Sequence, residues 1–303
     1  MQRIISLPMA PSDTHYQDMH FSSLPDPFVM SINNCFAWAH LQTALLDLEC
    51  LRTVIAHDKE KEISADWLHQ DEQKRLQSLH HEKRHLEWLG GRICAKQAAM
   101  QYLDDRYGKQ TLPATKRISQ LQIITATSGR PSLEYTALPA DQGLPHISIS
   151  HSRGYALAVA ASSPCGVDIQ AVSETLIRVK ERFCTGVEEK ILGQGLHSFD
   201  KLPPPQHLAL LWAAKEAVKK GALFDHMPGF LDLVLTHIEQ IPQAVSPTTD
   251  TLAACLFTLD YHGGHQESCA SHCQFQVVVG LHQGYGIGLC IIPPQPSPGI
   301  NYA

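Results

Sequence analysis

The chain has 303 residues, of which 44% are hydrophobic and 18% charged, and its formal net charge is -6. This is the composition of a folded protein with one large core or two ordinary ones; it excludes a disordered chain and a globally basic nucleic-acid binder. The longest clean apolar runs, Tyr155 to Ala161 and Leu208 to Ala214, are too short to cross a bilayer, so no membrane partner is expected.

The N-terminal stretch MQRIISLPMAP holds one Arg and is broken by Pro8, a poor signal peptide. Nine cysteines at irregular spacing form no CxxC pair, which suits free thiols in a reducing compartment. Both features predict a cytoplasmic protein.

In chain order, residues 1 to about 30 are rich in Pro, Ser and Asp without periodicity and predict an irregular lead-in. Cys35 to Leu46 reads as a strand followed by a turn. Asp71 to Leu103 places Leu76, Leu79, Leu86 and Leu89 at helical spacing, with Gly90-Gly91 expected to split two helices. Between 146 and 170, three apolar runs joined by the turns Ser152-Arg153-Gly154 and Ser162-Ser163-Pro164 predict an antiparallel meander. Residues 207–220 predict a helix stopped by Gly221, and 251–260 and 274–292 predict closing strands.

A weak internal repeat is present. Ala95-Lys96-Gln97-Ala98-Ala99 resembles Ala214-Lys215-Glu216-Ala217-Val218, and each follows a charged helix start, at Asp71-Glu72 and at Glu188-Glu189. Two similar halves, 1–140 and 141–303, would then face each other across a cleft, the default place for a site.

Four segments carry chemistry. Strand alternation puts Asp168 and Gln170 on the face opposite Val167 and Ile169; an acid on the wet side of an edge strand has the same pattern. In Leu211 to Lys220, Trp212, Glu216 and Lys220 recur every four residues on one helix face, which also describes a solvated Glu–Lys pair. Ser148-Ile149-Ser150-His151-Ser152 ends a strand with a phosphate-contacting or merely turn-forming histidine. Gly129-Arg130-Pro131 holds a basic residue on a turn.

In order along the chain, GRPSL (129–133), ISISHS (147–152), GVDIQ (166–170), RFCTGVEEKIL (182–192) and LLWAAKEAVKKG (210–221) resemble the surfactin-type 4′-phosphopantetheinyl transferases. Lys83 to Ala99, with Gly91, Arg92 and Lys96, resembles the earlier basic helix of that family. The resemblance implies an α+β fold of two pseudo-symmetric halves, each a small antiparallel sheet packed on helices. It implies Mg²⁺ held by Asp168 and Glu216, with coenzyme A as co-substrate and an apo acyl or peptidyl carrier protein as partner, of a fatty-acid, polyketide or peptide synthase. Catalytic roles fall to Glu216, Lys220 and Asp168: Glu216 helps deprotonate the carrier serine and Lys220 steadies the phosphate under attack. Arg130, Ser150 and His151 are implied at the coenzyme A nucleotide, with Arg75, Arg84, Arg92, Lys96 and Lys215 as further basic contacts, and Glu188 as structural or orienting a lysine. The resemblance also implies a monomer.

Two positions depart from the pattern. Gln170 replaces a second acid in the GVDIQ element, and an amide oxygen or a water can take that place on the metal. Cys184 stands where an aromatic is common, which touches packing alone. The physical logic agrees: Mg²⁺ prefers oxygen ligands and substrate phosphates, and a pyrophosphate needs its charge neutralised before a hydroxyl attacks.

Two other readings compete. One is a non-catalytic module that binds coenzyme A or a carrier, supported by Gln170 alone. The other is a zinc-dependent interaction protein built on His262, His265, Cys269, His272 and Cys273, whose spacing fits no standard zinc pattern.

Overall fold

A computed structural model of the chain describes residues 21–22, 24, 26–56, 60–108, 118–126, 129–136, 142–196, 202–222, 224, 227–241, 254–262 and 273–294. A two-residue strand β1 (Phe21–Ser22) precedes helix α1 (Asp26–Cys35), so the expected irregular lead-in ends in a helix. Strand β2 (Leu41–Asp47) follows, then α2 (Leu48–Val54), α3 (Glu60–Trp67), α4 (Gln70–Gln77) and the long α5 (Glu82–Tyr107). Strands β3 (Gln122–Thr125), β4 (Pro131–Glu134), β5 (His146–Ser152), β6 (Tyr155–Ala161) and β7 (Cys165–Ala171) come next. Helices α6 (Glu174–Val179), α7 (Gly186–Gly195) and α8 (Pro204–Gly221) lead to strands β8 (Leu233–Gln240), β9 (Cys255–Tyr261), β10 (Gln274–His282) and β11 (Tyr285–Ile291). Among the described residues no helix is long and apolar enough to cross a membrane.

The strands form a four-stranded sheet β1-β2-β6-β5, a five-stranded sheet β7-β11-β10-β9-β8 and the pair β3-β4, all antiparallel. Three apolar clusters order them into layers. Leu89, Ile93 and Ala98 of α5 pack with Ala44, Leu46, Ala156 and Ala158 on one face of the first sheet. Leu210, Ala214 and Ala217 of α8 pack with Phe257, Val277, Val279 and Cys290 on one face of the second. Between the sheets, Leu45, Leu157 and Val159 meet Val167, Ile169, Val278 and Leu289, and Phe28 and Ile32 of α1 close the end of that layer. The result is helix, sheet, sheet, helix, the expected α+β class.

Two local expectations are corrected. The expected helix break at Gly90-Gly91 lies instead at Ser78 to His81, between α4 and α5. Both glycines sit inside α5 because the helix rests on the sheet there: a Cβ on Gly90 would lie 2.3 Å from Leu48 Cδ2 and one on Gly91 3.1 Å from Ile149 Cγ2. The expected meander is a β5–β6 hairpin only. β7 turns away at Ser162 to Pro164 and pairs with β11 in the other sheet. The chain therefore changes from one sheet to the other near residue 163, with β5 and β6 joined to β2.

Candidate functional site

β5 and β7 are the edges of the two sheets, and they meet. An edge strand carries unpaired backbone groups, and here serine side chains satisfy them. Alternation along β5 points Ser148, Ser150 and Ser152 the same way, and their hydroxyl oxygens accept the N–H groups of Val167 (3.1 Å), Ile169 (3.2 Å) and Ala171 (3.0 Å).

Asp168, the fourth residue of β7, is 6% exposed. With Val167 and Ile169 in the layer between the sheets, it faces α8. The helix lies unusually close: a Cβ on Gly166 would fall 1.8 Å from the Ala217 carbonyl oxygen, and one on Gly288 2.7 Å from that of Ala213. Only glycine permits that approach, and it brings the last turns of α8 over β7.

Lys220 Nζ donates to Asp168 Oδ1 at 2.7 Å and to the Val167 carbonyl at 3.1 Å. Ser150 Oγ donates to the same Oδ1 at 2.7 Å. Burial is the main force on the Asp168 carboxyl and pushes its pKa up. The Lys220 ammonium and the Ser150 hydroxyl oppose that rise, and the nearby Glu216 carboxylate adds to it. Glu216 is half-buried one turn earlier and pairs with Lys219 Nζ at 2.9 Å. Lys219 also lies 4.1 Å above the Phe230 ring, which stacks on Trp212. The Glu216–Lys220 pair open from helical spacing is thus replaced by Lys220–Asp168 and Lys219–Glu216.

Gln170 lies one pleat beyond Asp168, half-buried, its side-chain NH₂ donating to the Ala171 carbonyl at 3.0 Å. Among the described residues no group of three His, Cys, Asp or Glu side chains gathers for a metal ion. The Asp168 and Glu216 carboxylates lie near each other, and Gln170 stands on the same face of β7 as Asp168; all offer hard oxygen donors. That set fits a Mg²⁺ ion that keeps waters and substrate phosphates as its other ligands.

The basic residues divide into available and committed ones. His151, 45% exposed in its side chain, points Nδ1 at Glu87 Oε2 from 3.7 Å. Arg84 and Arg75 are exposed. Arg92 stacks 4.9 Å over Trp88, with Nε 4.0 Å from Glu72 Oε1; its buried Nη1 has no hydrogen-bond partner among the described residues, and burial lowers its pKa. Arg130 donates to the carbonyls of Gly221 and Ala222, at the end of α8.

Three residues expected at the nucleotide are buried and engaged within the protein. Lys96 is 0% exposed and pairs with Glu72 Oε2 at 2.5 Å; Lys215 is 0% exposed and pairs with Glu188 Oε1 at 2.7 Å. Each ammonium is balanced by a buried glutamate. Ser150 is 5% exposed, with its hydroxyl shared between Ile169 and Asp168. Sequence reasoning missed that bond and the Lys219 contact; the period-two serines of β5 and the i,i+3 spacing of Glu216 and Lys219 were the available signals. Of the His/Cys cluster, His265, Cys269 and His272 lie outside the described residues, while His262 and Cys273 flank the ends of β9 and β10.

Residues 164–290 match the family model of the 4'-phosphopantetheinyl transferase superfamily. That span runs from the start of β7 into β11 and includes Asp168, Glu216 and Lys220. The chain is also similar to a holo-[acyl-carrier-protein] synthase of Staphylococcus haemolyticus (strain JCSC1435), 26% identical over 113 residues, 37% of this chain and 86% of the relative. A holo-[acyl-carrier-protein] synthase of Staphylococcus aureus (strain JH9) is 26% identical over 110 residues, 36% of this chain and 84% of the relative.

Proposed function

We propose, from the membership of residues 164–290 in the 4′-phosphopantetheinyl transferase superfamily, that this enzyme transfers the phosphopantetheine arm of coenzyme A to a serine of an apo carrier protein. The observation that carries the reading is the convergence of Asp168, Glu216 and Lys220, from β7 and α8, at the seam of the two sheets. Asp168 and Glu216, with Gln170 beside them, hold Mg²⁺. The ion's role is to neutralise the pyrophosphate of coenzyme A.

Glu216 accepts the proton of the carrier serine, directly or through a water. The serine oxygen forms a bond to the phosphorus that carries pantetheine. The bond from that phosphorus to the bridging oxygen breaks, and 3′,5′-ADP leaves with the electron pair. Lys220 brings its ammonium to the phosphate under attack. The exposed His151 and Arg84 and the unpaired Nη1 of Arg92 support a phosphate-binding surface along α5 and the end of β5.

The test is intact mass. Apo carrier incubated with the enzyme, coenzyme A and Mg²⁺ should gain one phosphopantetheine, and EDTA should stop the gain. No mass gain on any of several carrier domains rejects the activity; full transfer in EDTA rejects the metal.

A further inference from the structure

The three serines of β5 do the same backbone work, and one of them does something more. Ser148, Ser150 and Ser152 each accept one N–H of β7. Ser150 alone also donates, to Asp168 Oδ1 at 2.7 Å, where Lys220 donates too. Both bonds end on one carboxylate oxygen, so Oδ2 is the oxygen that neither engages.

We propose that Ser150 is a positioning residue for the metal carboxylate: through its hydroxyl the strand edge of the first sheet holds Asp168 so that Oδ2 faces the cation. The inference rests on the transferase reading above and deepens it. In that reading Lys220 turns its charge to the phosphate during transfer and relaxes its hold on Oδ1. Ser150 is then the bond that keeps the carboxylate from rotating. Its own orientation is fixed, because the Ile169 N–H occupies one lone pair at 3.2 Å and leaves the hydroxyl proton to point at Asp168. Partners of this kind orient metal ligands and set metal affinity. The arrangement also ties the two sheets together at the one point where the chemistry requires it.

The seam supplies its own controls. Ser148→Ala and Ser152→Ala remove the same kind of N–H acceptor as Ser150→Ala but no bond to Asp168. Mn²⁺ binding is read by electron paramagnetic resonance of the free ion at saturating coenzyme A, coenzyme A affinity by calorimetry in EDTA, and stability by thermal unfolding without metal.

Ser150→Ala should weaken Mn²⁺ binding by about tenfold, the low end for loss of a group that orients a metal ligand, with coenzyme A affinity in EDTA unchanged. Ser148→Ala and Ser152→Ala should lower Tm as Ser150→Ala does and bind Mn²⁺ as wild type does. Ser150→Thr, which keeps the hydroxyl, should restore Mn²⁺ affinity, and Ser150→Cys, a weak donor of similar size, should reproduce the loss if the alanine variant fails to fold.

Unchanged Mn²⁺ affinity in Ser150→Ala or Ser150→Cys overturns the proposal. So does an equal loss in Ser148→Ala, which makes the effect one of the seam. A loss of coenzyme A affinity in EDTA makes Ser150 a ligand contact instead. A wild-type protein that transfers no phosphopantetheine with any metal sinks the transferase reading itself, whereas active wild type with unshifted serine variants sinks this inference alone.

Discussion

Helices α5 and α8 each bury a lysine against a glutamate that caps a short helix. Lys96 meets Glu72, whose carboxylate also accepts the His69 N–H at 2.9 Å and the Ile123 N–H at 3.2 Å. Lys215 meets Glu188, whose carboxylate accepts the Thr185 N–H at 2.8 Å and the Leu235 N–H at 2.9 Å. Each lysine also donates to a carbonyl just before the next strand, Ile118 in one case and Phe230 in the other. We read these as two copies of one arrangement, in which an ion pair ties helix cap, long helix and first outer strand together.

What differs is the neighbouring residue. Glu216 follows Lys215, but Gln97 follows Lys96; one turn on stand Lys220 and Gln101; and the fourth strand residue is Asp168 in β7 but Ala44 in β2. The scaffold is present twice and the proposed metal and catalytic residues once, so the two can be perturbed separately.

The largest expected effect falls on the shared part. Lys96→Met and Lys215→Met should each destabilise the fold by about 3–5 kcal/mol, the second more, because it leaves the buried Glu188 without its counter-charge whereas Glu72 keeps Arg92 4.0 Å away. Urea unfolding measures this. A Lys215→Met protein as stable as wild type but with a raised KM for coenzyme A would break the comparison and return Lys215 to the ligand.

Next comes the unshared part. Asp168→Asn and Glu216→Gln should each slow transfer by about 10²–10³-fold, roughly 3–4 kcal/mol. Asp168→Asn should cost no stability, since an amide avoids the burial that raises the Asp168 pKa. Gln101→Ala, at the counterpart of Lys220, should leave the rate within about twofold, as for an exposed helix position without a partner role. Initial rates by intact mass check all three, and an Asp168→Asn enzyme of wild-type rate would mean the metal lies elsewhere.

The halves also differ in buried thiols. Burial pushes Cys184, Cys255 and Cys290 up to about 12 and raises Cys165 as well; before β5 it raises Cys94, which is fully buried, and also the half-buried Cys35 and Cys50. A thiol whose folded pKa exceeds its unfolded value contributes fully below the unfolded value, about 8.5, and loses that contribution as pH rises toward the folded one. Stability should therefore fall above about pH 9, by up to about 1.4 kcal/mol per thiol per pH unit. Urea midpoints from pH 8 to 10.5 test the fall. Pulsed alkylation with peptide mass analysis should then label Cys255 and Cys290 before Cys94; simultaneous labelling would show that the halves do not open separately.

The placement of the candidate residues was legible because it is periodic. Alternation exposed Asp168 opposite Val167 and Ile169, and helical spacing brought Glu216 and Lys220 to the same end of one helix. What failed to show were long-range partners. Lys96 and Lys215 look like phosphate ligands until Glu72 and Glu188, each more than twenty residues away in sequence, are found beside them. Gly90-Gly91 reads as a helix break, but the pair is a flat place where α5 meets a sheet. The turn after β6 looks like any hairpin turn, and nothing local says that β7 will pair with β11, the last strand. Ser150 falls between these cases: its face was readable from alternation, its partner was not.

Gln170 offers the smallest effect and the finest test of how the chemistry was laid onto one copy of the scaffold. In the proposed site Asp168 and Glu216 would each bring a full charge to a cation, and Gln170 a dipole. Its side-chain NH₂ is already turned to the Ala171 carbonyl, so its amide oxygen is the atom left to meet the ion or a water on it. Water readily replaces a neutral oxygen ligand of Mg²⁺, whereas a neutral group in place of a carboxylate forfeits the charge that holds the ion. Gln170→Ala should therefore slow transfer by less than about tenfold, below about 1.4 kcal/mol. Gln170→Glu adds a third carboxylate beside Asp168, and it should lower the Mg²⁺ concentration giving half-maximal rate. The same charge crowding should further penalise the buried Asp168 in the absence of metal, so Gln170→Glu should melt below wild type in EDTA and regain the difference when Mg²⁺ is added. A Mg²⁺ titration of both variants, with Tm measured with and without the ion, decides the point. If Gln170→Ala is as slow as Asp168→Asn, the amide is a full ligand, and the site was built from three side chains of β7 and α8, not two.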